Sequence, residues 1–174
     1  MAPVVNVFKK DSVNFKTLVA VTAQHREMLD QVLSVFDIIP DYDLDLMSKS
    51  QTLESLTGKI LNGISRLLIQ IQPDLIFVQG DTTTTFSASL AAFYQKIPVA
   101  HIEAGLRTHD IYSPFPEEIN RRMTSSIASH HFPPTRQAEQ CLLDEGVKKE
   151  KITVAGNTVI DALLTVSSKV ESDS

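Results

Sequence analysis

Short apolar runs that alternate with helical periods constrain the fold of this chain more than any other feature. The runs over residues 75–78 and 99–102 are continuous, and each is followed by a segment whose apolar residues recur at helical spacing. Continuous apolar strands are typical of strands buried on both faces, and parallel strands need a crossover connection between them. The pattern therefore predicts an α/β fold, a doubly wound parallel sheet covered by helices.

The same pattern predicts an ordered series of elements. The chain opens on a helix over residues 1–10, which is unusual because doubly wound domains normally open on a strand. A long amphipathic helix over 53–68 is ended by Pro73. The remaining helices are predicted over 27–36, 83–94, 117–128, 137–143 and 158–166, and the remaining strands over 17–22, 131–132 and 152–154, with a turn and a short edge strand within 38–46.

The length of the chain bounds its domain organisation. Its 174 residues suffice for one substantial core and are too few for two ordinary domains. We therefore expect one Rossmann-like domain over residues 1–166 and a polar tail, SSKVESDS, over 167–174.

Composition and charge argue against several classes of function. The net charge of −5 argues against a general nucleic-acid-binding surface, which needs clustered Lys and Arg. A few arginines and helix N-termini can still bind a small anion. No apolar stretch is long enough to cross a bilayer and no leader-like segment opens the chain, so we expect a cytoplasmic protein with no membrane partner. The single cysteine, Cys141, and the five histidines show no metal-site spacing, so no metal and no other cofactor is expected.

Polar residues cluster where the predicted strands end. In an open parallel sheet, ligands bind outside the carboxyl ends of the strands, so these clusters are the candidate site. The first follows 75–78, the second follows 99–102, and the third follows a proline-punctuated loop. They contain Gln79, Gly80, Asp81 and the threonines 82–85; Glu103, Gly105 and Arg107; and Glu117, Glu118, Asn120, Arg121 and Arg122.

Asp81 has two interpretations. An Asp just before a helix can accept a hydrogen bond from a backbone N–H two or three residues later, a cap that stabilises the helix by roughly 1 kcal/mol. Alternatively, the helix start offers backbone N–H groups and the hydroxyls of Thr82 and Thr83 to an anion, with Asp81 as a base or as an acceptor for a ligand hydroxyl. Both can hold together.

The second cluster also leaves alternatives open. Glu103 directly follows a buried strand, and Gly105 permits a tight turn that brings Arg107 to the same rim. Glu103 and Arg107 could form a salt bridge within their loop, as such pairs commonly do. Otherwise Glu103 is a candidate acid or base, and Arg107 is a bidentate donor for a substrate anion.

In the third cluster, acidic residues open a helix and basic residues follow. Glu117 and Glu118 favour a helix N-terminus, and Arg121 and Arg122 can pair with them at i,i+4. Glu118 and Arg122 are therefore interpreted as structural. Glu117, next to the loop, is the better site candidate, and Arg121 is a candidate for substrate binding.

Five segments in this order and spacing resemble the non-hydrolysing UDP-N-acetylglucosamine 2-epimerase family. They are TAQHREMLDQVL, FVQGDTTTTFSASLAAFY, VAHIEAGLRT, YSPFPEEINRR and VAGNTVIDALL, and the resemblance extends to about residue 164. It implies the amino-terminal half of a GT-B type enzyme, with two Rossmann-like domains and an active site between them. It also implies interconversion of UDP-N-acetylglucosamine and UDP-N-acetylmannosamine, by elimination of UDP and its re-addition, in the biosynthesis of cell-surface polysaccharides.

The resemblance also implies roles for individual residues. Asp81, Glu103 and Glu117 match the acidic residues implicated in the family's catalysis, with acid and base roles left unassigned. A nucleotide-sugar substrate and a homodimer are the implied partners. The cluster of Gln24, His25 and Arg26, which could otherwise cap a helix, matches a segment associated with a second, regulatory UDP-N-acetylglucosamine.

Two departures from the family pattern limit these expectations. Family members usually begin with a strand and a G-T-R-P-E-A-I-K turn before the Met-Ala-Pro that opens this chain, and they carry a whole carboxyl-terminal domain. We therefore expect a fold that lacks its first strand and a chain that is catalytically silent by itself. Two alternative functions stay open: a non-catalytic dimerisation or binding module, and a hydrolysing relative that releases UDP and N-acetylmannosamine.

Overall fold

The computed structural model describes residues 1–22, 26–46 and 51–172. The chain divides into two compact units, one made of residues up to 47 together with those from 157 onward, the other of residues 48–156. The helices are α1 (Ala2–Lys10), α2 (Arg26–Val35), α3 (Leu53–Ile71), α4 (Thr83–Tyr94), α5 (Glu117–Ile127), α6 (Arg136–Asp144) and α7 (Thr158–Ser172), with a short 3₁₀ helix at Lys149–Lys151. The strands are β1 (Ala20–Val21), β2 (Tyr42–Asp43), β3 (Ile76–Gln79), β4 (Val99–Ile102) and β5 (His130–Phe132).

The unit of residues 48–156 contains a parallel sheet in the order β3-β4-β5. Ile76 is paired with Val99, and Gln79 with Ile102, so β3 and β4 begin and end at the same level. The helices α4 and α5 provide the crossover connections that parallel strands require. This register places the residues that follow Gln79 and Ile102 side by side at one edge of the sheet.

Small side chains allow α4 to pack between α3 and α5. Buried positions of α4 are occupied by serine and alanine, which let neighbouring helices approach closely; they are Ser87, Ala88, Ser89, Ala91 and Ala92. The facing helix α3 supplies the bulk, through Leu56, Ile60, Ile64, Leu67 and Leu68. It ends where Gln72 takes a left-handed backbone conformation before Pro73, as the sequence predicts.

The other unit contains the parallel pair β1-β2 and the helices α1, α2 and α7. Asp41 joins this pair to the preceding chain, because its Oδ2 accepts a hydrogen bond of 2.7 Å from the N–H of Val19. The Nζ of Lys169 donates to the carbonyl of Val35 and to Oδ2 of Asp37, at 2.7 and 2.6 Å. These bonds attach α7 to the end of α2, and the segment predicted as a polar tail continues that helix through Ser172.

Most of the element predictions are confirmed, but the strand predicted over 17–22 is limited to Ala20–Val21, and the helix predicted over 158–166 extends through Ser172. The helices over 1–10, 83–94 and 117–128 and the strand over 99–102 match the structure to within one or two residues. The strand predicted over 152–154 is wrong, because only Ile152 forms a bridge, to His131. Pro133 and Pro134 follow β5 and have no N–H groups to extend a sheet ladder.

Gly105 is required by close packing against α6. Its φ is +84°, and a Cβ placed on it would lie 2.2 Å from the carbonyl oxygen of Ala138. Gly146 has nearly the same φ, +85°, but a Cβ there would meet nothing within 4 Å. Substitution of each glycine therefore distinguishes the cost of backbone strain, which both share, from the cost of a steric clash, which only Gly105 has.

We predict that Gly105→Ala destabilises the chain much more than Gly146→Ala. Both changes force alanine into the left-handed region, which costs about 1–2 kcal/mol. Only Gly105→Ala also pushes a methyl group into a backbone carbonyl, so we expect its free energy of unfolding to fall by at least about 2 kcal/mol more. Urea unfolding of both variants measures the difference, and equal losses would contradict the packing argument.

Candidate active site

Asp81 forms an ion pair with α5 at the carboxyl end of β3. Its Oδ2 accepts a hydrogen bond of 2.5 Å from a terminal nitrogen of Arg121, and its backbone carbonyl accepts one of 3.0 Å from Nδ2 of Asn120. The Asp81 side chain is 31% exposed, whereas that of Arg121 is 11% exposed. The carboxylate is therefore held by a largely buried guanidinium while it still faces solvent.

The threonines at the start of α4 cap and anchor the helix. Thr82 is the N-cap, because its Oγ1 accepts a hydrogen bond of 3.2 Å from the N–H of Thr85. The Thr85 hydroxyl donates to the carbonyl of Gln79 at 2.6 Å, which ties the helix start to the end of β3. The interpretation of Asp81 as the cap is thus wrong by one residue. Thr82 is exposed and Thr83 is buried, and their predicted role in substrate binding stays a prediction.

Glu103 follows β4 in an uncommon backbone conformation. Its φ is +64°, in the left-handed region that residues other than glycine seldom adopt and that is often retained at functional sites. Its Oε2 accepts a hydrogen bond of 2.9 Å from Nε2 of Gln79. A Cβ on Gly80 would lie 3.6 Å from the same oxygen, so the Glu103 carboxylate lies beside the residue that precedes Asp81.

Glu118 is a buried carboxylate that organises the loop before α5. It is 0% exposed, and its two oxygens accept hydrogen bonds from the N–H groups of Thr108 and His109, at 3.2 and 3.3 Å. It also pairs with Arg121 at 3.4 Å, at i,i+3 rather than the expected i,i+4. Arg121 therefore bridges Glu118 and Asp81, in agreement with the structural interpretation of Glu118.

Glu117 lies in the first turn of α5 and is half-buried. Within the described ranges its side chain makes no hydrogen bond or ion pair, whereas the carboxylate of its neighbour Glu118 has partners at both oxygens. Arg122 is exposed on the same helix. The two adjacent glutamates thus differ in their side-chain partners. The catalytic role of Glu117 stays a prediction.

Arg107 is buried against α6 rather than paired with Glu103. Its side chain is 0% exposed and binds Glu145 through two hydrogen bonds, at 2.8 and 2.7 Å. Further bonds run to the Leu106 carbonyl and to the hydroxyl of Ser125, at 2.8 and 3.0 Å. The guanidinium lowers the pKa of the Glu145 carboxyl. Of the two alternatives for Glu103, the salt bridge with Arg107 is therefore wrong. Each guanidinium nitrogen of Arg107 already has an acceptor, and substrate binding by this residue stays a prediction.

Only one residue of the candidate regulatory cluster is described. Gln24 and His25 lie outside the described residues. Arg26 belongs to the unit that contains β1 and β2, where it donates hydrogen bonds to Asp43 and, at 2.8 Å, to Asp45. These bonds raise the pKa of Arg26 and lower that of Asp43. A regulatory ligand at Arg26 stays a prediction.

Two histidines lie buried on adjacent strands beneath the candidate site. His101 on β4 and His131 on β5 are register partners, 0% and 1% exposed. A nitrogen of His101, Nε2, lies 2.8 Å from the Gly80 carbonyl, which can only accept, so this nitrogen carries the proton. Burial lowers the pKa of each ring to about 4. Both rings are therefore neutral near pH 7.

The comparisons with known proteins all lead to one family. Residues 8–174 match the family described as UDP-N-acetylglucosamine 2-epimerase. The chain is 55% identical to the UDP-N-acetylglucosamine 2-epimerases of Salmonella typhimurium, over 170 residues, and Escherichia coli, over 172 residues. The two matches include 98% and 99% of this chain, but only 45% and 46% of the relatives.

A solved structure supports the same assignment. The crystal structure of the Neisseria meningitidis UDP-GlcNAc 2-epimerase bound to UDP-GlcNAc matches with a TM-score of 0.95 and 53% identity, over 98% of this chain and 46% of that one. The chain belongs to the UDP-N-acetylglucosamine 2-epimerase family. Its parallel α/β architecture is the Rossmann-like amino-terminal half of the family's GT-B fold, and it spans about half the length of the relatives it matches.

The sequence placed Gln79, Asn120 and Arg121 in the candidate site but did not predict that they hold the acidic residues. Gln79 holds Glu103, and Asn120 and Arg121 hold Asp81. A signal for Gln79 was present, since a polar residue ends an apolar strand just before the Gly-Asp pair. Across the described ranges, no three His, Cys, Asp or Glu side chains converge as metal ligands would.

We predict that the stability of the chain falls as pH drops from about 6.5 to about 4. The folded pKa of His101 and of His131 is about 4, below the ordinary value of 6.5, so the unfolded chain takes up these protons first. The fold is therefore most stable above pH 6.5, where the rings are neutral. Between pH 6.5 and 4, each histidine lowers the free energy of unfolding by up to roughly 3 kcal/mol. Urea unfolding at intervals between pH 7 and 4 measures the slope.

The neighbouring exposed His130 provides the control for this pH dependence. His130→Gln should retain most of the slope, because burial is the largest cause that lowers the pKa of His131 and the charge of the exposed His130 is the smallest. A free energy of unfolding that stays level between pH 6.5 and 4 would contradict the burial argument.

We also predict that Glu118→Gln and Glu117→Gln differ strongly in stability. The amide at position 118 would face the same N–H groups and Arg121 without a negative charge, which should cost about 3 kcal/mol. Glu117→Gln removes only a favourable charge near a helix N-terminus, which should cost less than about 1 kcal/mol. Urea unfolding of the two variants compares them, and similar losses would show that Glu118 does not organise the loop.

Proposed function

We propose that this chain supplies the catalytic carboxylates of an enzyme that interconverts UDP-N-acetylglucosamine and UDP-N-acetylmannosamine by inverting C2. The observation that carries the proposal is the arrangement at the carboxyl edge of β3 and β4. There the Glu103 carboxylate lies beside the Gly80-Asp81 pair, each carboxylate with its own donor. In an open parallel sheet this edge is where ligands bind.

Inversion at C2 sets chemical demands that carboxylates can meet. The proton on C2 is weakly acidic, so its removal by a base is coupled to departure of UDP. The C2–H bond breaks, its electron pair forms a double bond between C1 and C2, and the C1–O bond breaks with its electrons on the diphosphate of UDP. The product is 2-acetamidoglucal. In the return step a proton is delivered to the opposite face of C2, and a diphosphate oxygen of UDP forms the bond to C1.

Two faces of one carbon require two proton-transfer groups, and the site has three candidates. Asp81 follows β3, Glu103 follows β4, and Glu117 opens α5. The three carboxylates therefore come from different elements at one edge of the sheet. Groups held on separate rigid elements can address a bound sugar from different directions. The start of α4, with the exposed Thr82 as its N-cap, supports binding of the anionic part of the nucleotide-sugar.

The proposed partners follow from the same function. A UDP-sugar is the proposed substrate, supported by the Neisseria meningitidis relative, whose structure has UDP-GlcNAc bound. A homodimer in the cytoplasm is the proposed form of the protein. No helix in the described part of the chain is both long and apolar enough for a membrane crossing.

We predict that this chain restores epimerase activity when it replaces the matching segment of the Escherichia coli relative. The two are 55% identical over 172 residues, and this segment is 46% of the relative. The chimera should convert UDP-N-acetylglucosamine into a mixture with UDP-N-acetylmannosamine, measured by proton NMR or by separation of the two UDP-sugars. Its Asp81→Asn variant should lose at least about a hundredfold in kcat, as expected when a proton-transfer group is removed.

The products also separate this proposal from its alternatives. A hydrolysing enzyme would accumulate UDP and free N-acetylmannosamine, and a non-catalytic module would give neither product. The chain alone should show no turnover. A folded chimera that does not interconvert the two UDP-sugars would refute the proposed function.

A further inference from the structure

Gln79 is the last residue of β3, and its side chain reaches the Glu103 carboxylate. The Nε2 group donates to Oε2 of Glu103 at 2.9 Å, across 24 residues of sequence. Gln79 is paired in register with Ile102, the residue before Glu103. The two strands thus end level, so a side chain from one meets a side chain from the other.

Both ends of this contact are fixed by the backbone. The carbonyl of Gln79 accepts the Thr85 hydroxyl at 2.6 Å, and the next N–H, that of Gly80, continues the sheet ladder to Ile102 at 3.0 Å. Glu103 departs from its strand at a φ of +64°, a conformation that its surroundings must enforce. The amide therefore starts from a rigid anchor and meets a carboxylate whose own backbone is constrained.

The donor to Glu103 is uncharged, unlike the donor to Asp81. A terminal nitrogen of Arg121 lies 2.5 Å from Oδ2 of Asp81, so that carboxylate is held in an ion pair. An amide N–H fixes the direction of a carboxylate without neutralising its charge. Glu103 is thus oriented by a donor that carries no charge.

We propose that Gln79 is a positioning residue that aims the Glu103 carboxylate for proton transfer at C2 of the sugar. This role rests on the proposed function. When the C2–H bond breaks, its proton passes to a Glu103 oxygen and its electron pair goes into the C1–C2 bond as UDP departs; in the reverse direction the same oxygen returns the proton. Gln79 exchanges no proton and acts only through Glu103.

The test uses the Escherichia coli chimera with Gln79→Met, which keeps the side-chain length and removes the donor. One charge-assisted hydrogen bond lost at the reacting carboxylate should lower kcat about tenfold. KM should stay within about twofold, because in the proposed role Gln79 acts through Glu103 rather than on the substrate. Gln137→Met, on the exposed face of α6, is the matched control and should leave both constants unchanged.

A second variant keeps the test valid where Gln79→Met alters the fold. Gln79→Glu has the same size and replaces the donor by a carboxylate, so it should lower kcat more than Gln79→Met does. Thermal unfolding of each chimera identifies a loss of activity that comes from unfolding. A folded Gln79 variant with kcat within twofold of the unmodified chimera, or one in which KM alone rises, overturns the positioning role.

The outcomes separate the two proposals. An unmodified chimera that folds and does not epimerise refutes the proposed function, and the positioning role falls with it. An active unmodified chimera whose folded Gln79→Met and Gln79→Glu variants are equally active refutes the positioning role alone. A selective fall in kcat in these variants, with normal Gln137→Met, supports both.

Discussion

Arg121 is the side chain on which the candidate site depends most. It lies on α5 and holds Asp81 after β3 with one terminal nitrogen, while the other faces the buried Glu118. Glu118 in turn accepts the backbone N–H groups of Thr108 and His109. One guanidinium therefore fixes a strand end, a helix and a loop relative to each other. A buried carboxylate without this cation would be strongly destabilising, so the position of α5 and the orientation of Asp81 are set together.

The acidic residues of the site differ in what surrounds them. The carboxylate of Asp81 faces a cation, that of Glu103 faces a neutral amide, and that of Glu117 makes no hydrogen bond or ion pair with another described residue. Identical chemical groups in different environments can take different roles in one reaction. Beneath them, two neutral buried histidines support the sheet, and Nε2 of His101 fixes the carbonyl of Gly80 next to Asp81.

Local sequence patterns predicted most of the fold and the acidic residues of the site. The bounds of β4 and α4 agree with the structure because their signals are local, a continuous apolar run and a helical period with a polar start. The strand over 152–154 was predicted from its apolar residues, but pairing depends on the N–H groups of its neighbour, which end at two prolines. The Asp81 cap was misplaced by one residue because Thr82 competes for the same N–H groups.

The sequence by itself determined the alternation of strands and helices, the positions of Asp81, Glu103 and Glu117 at the ends of those elements, and the family. Only the tertiary structure decided their partners. Asp81 pairs with Arg121, Arg107 with Glu145, and Glu103 with Gln79, across 40, 38 and 24 residues of sequence. Periodicity reports which face of an element is buried, but a contact between distant side chains depends on strand register and crossover packing, which no local pattern contains.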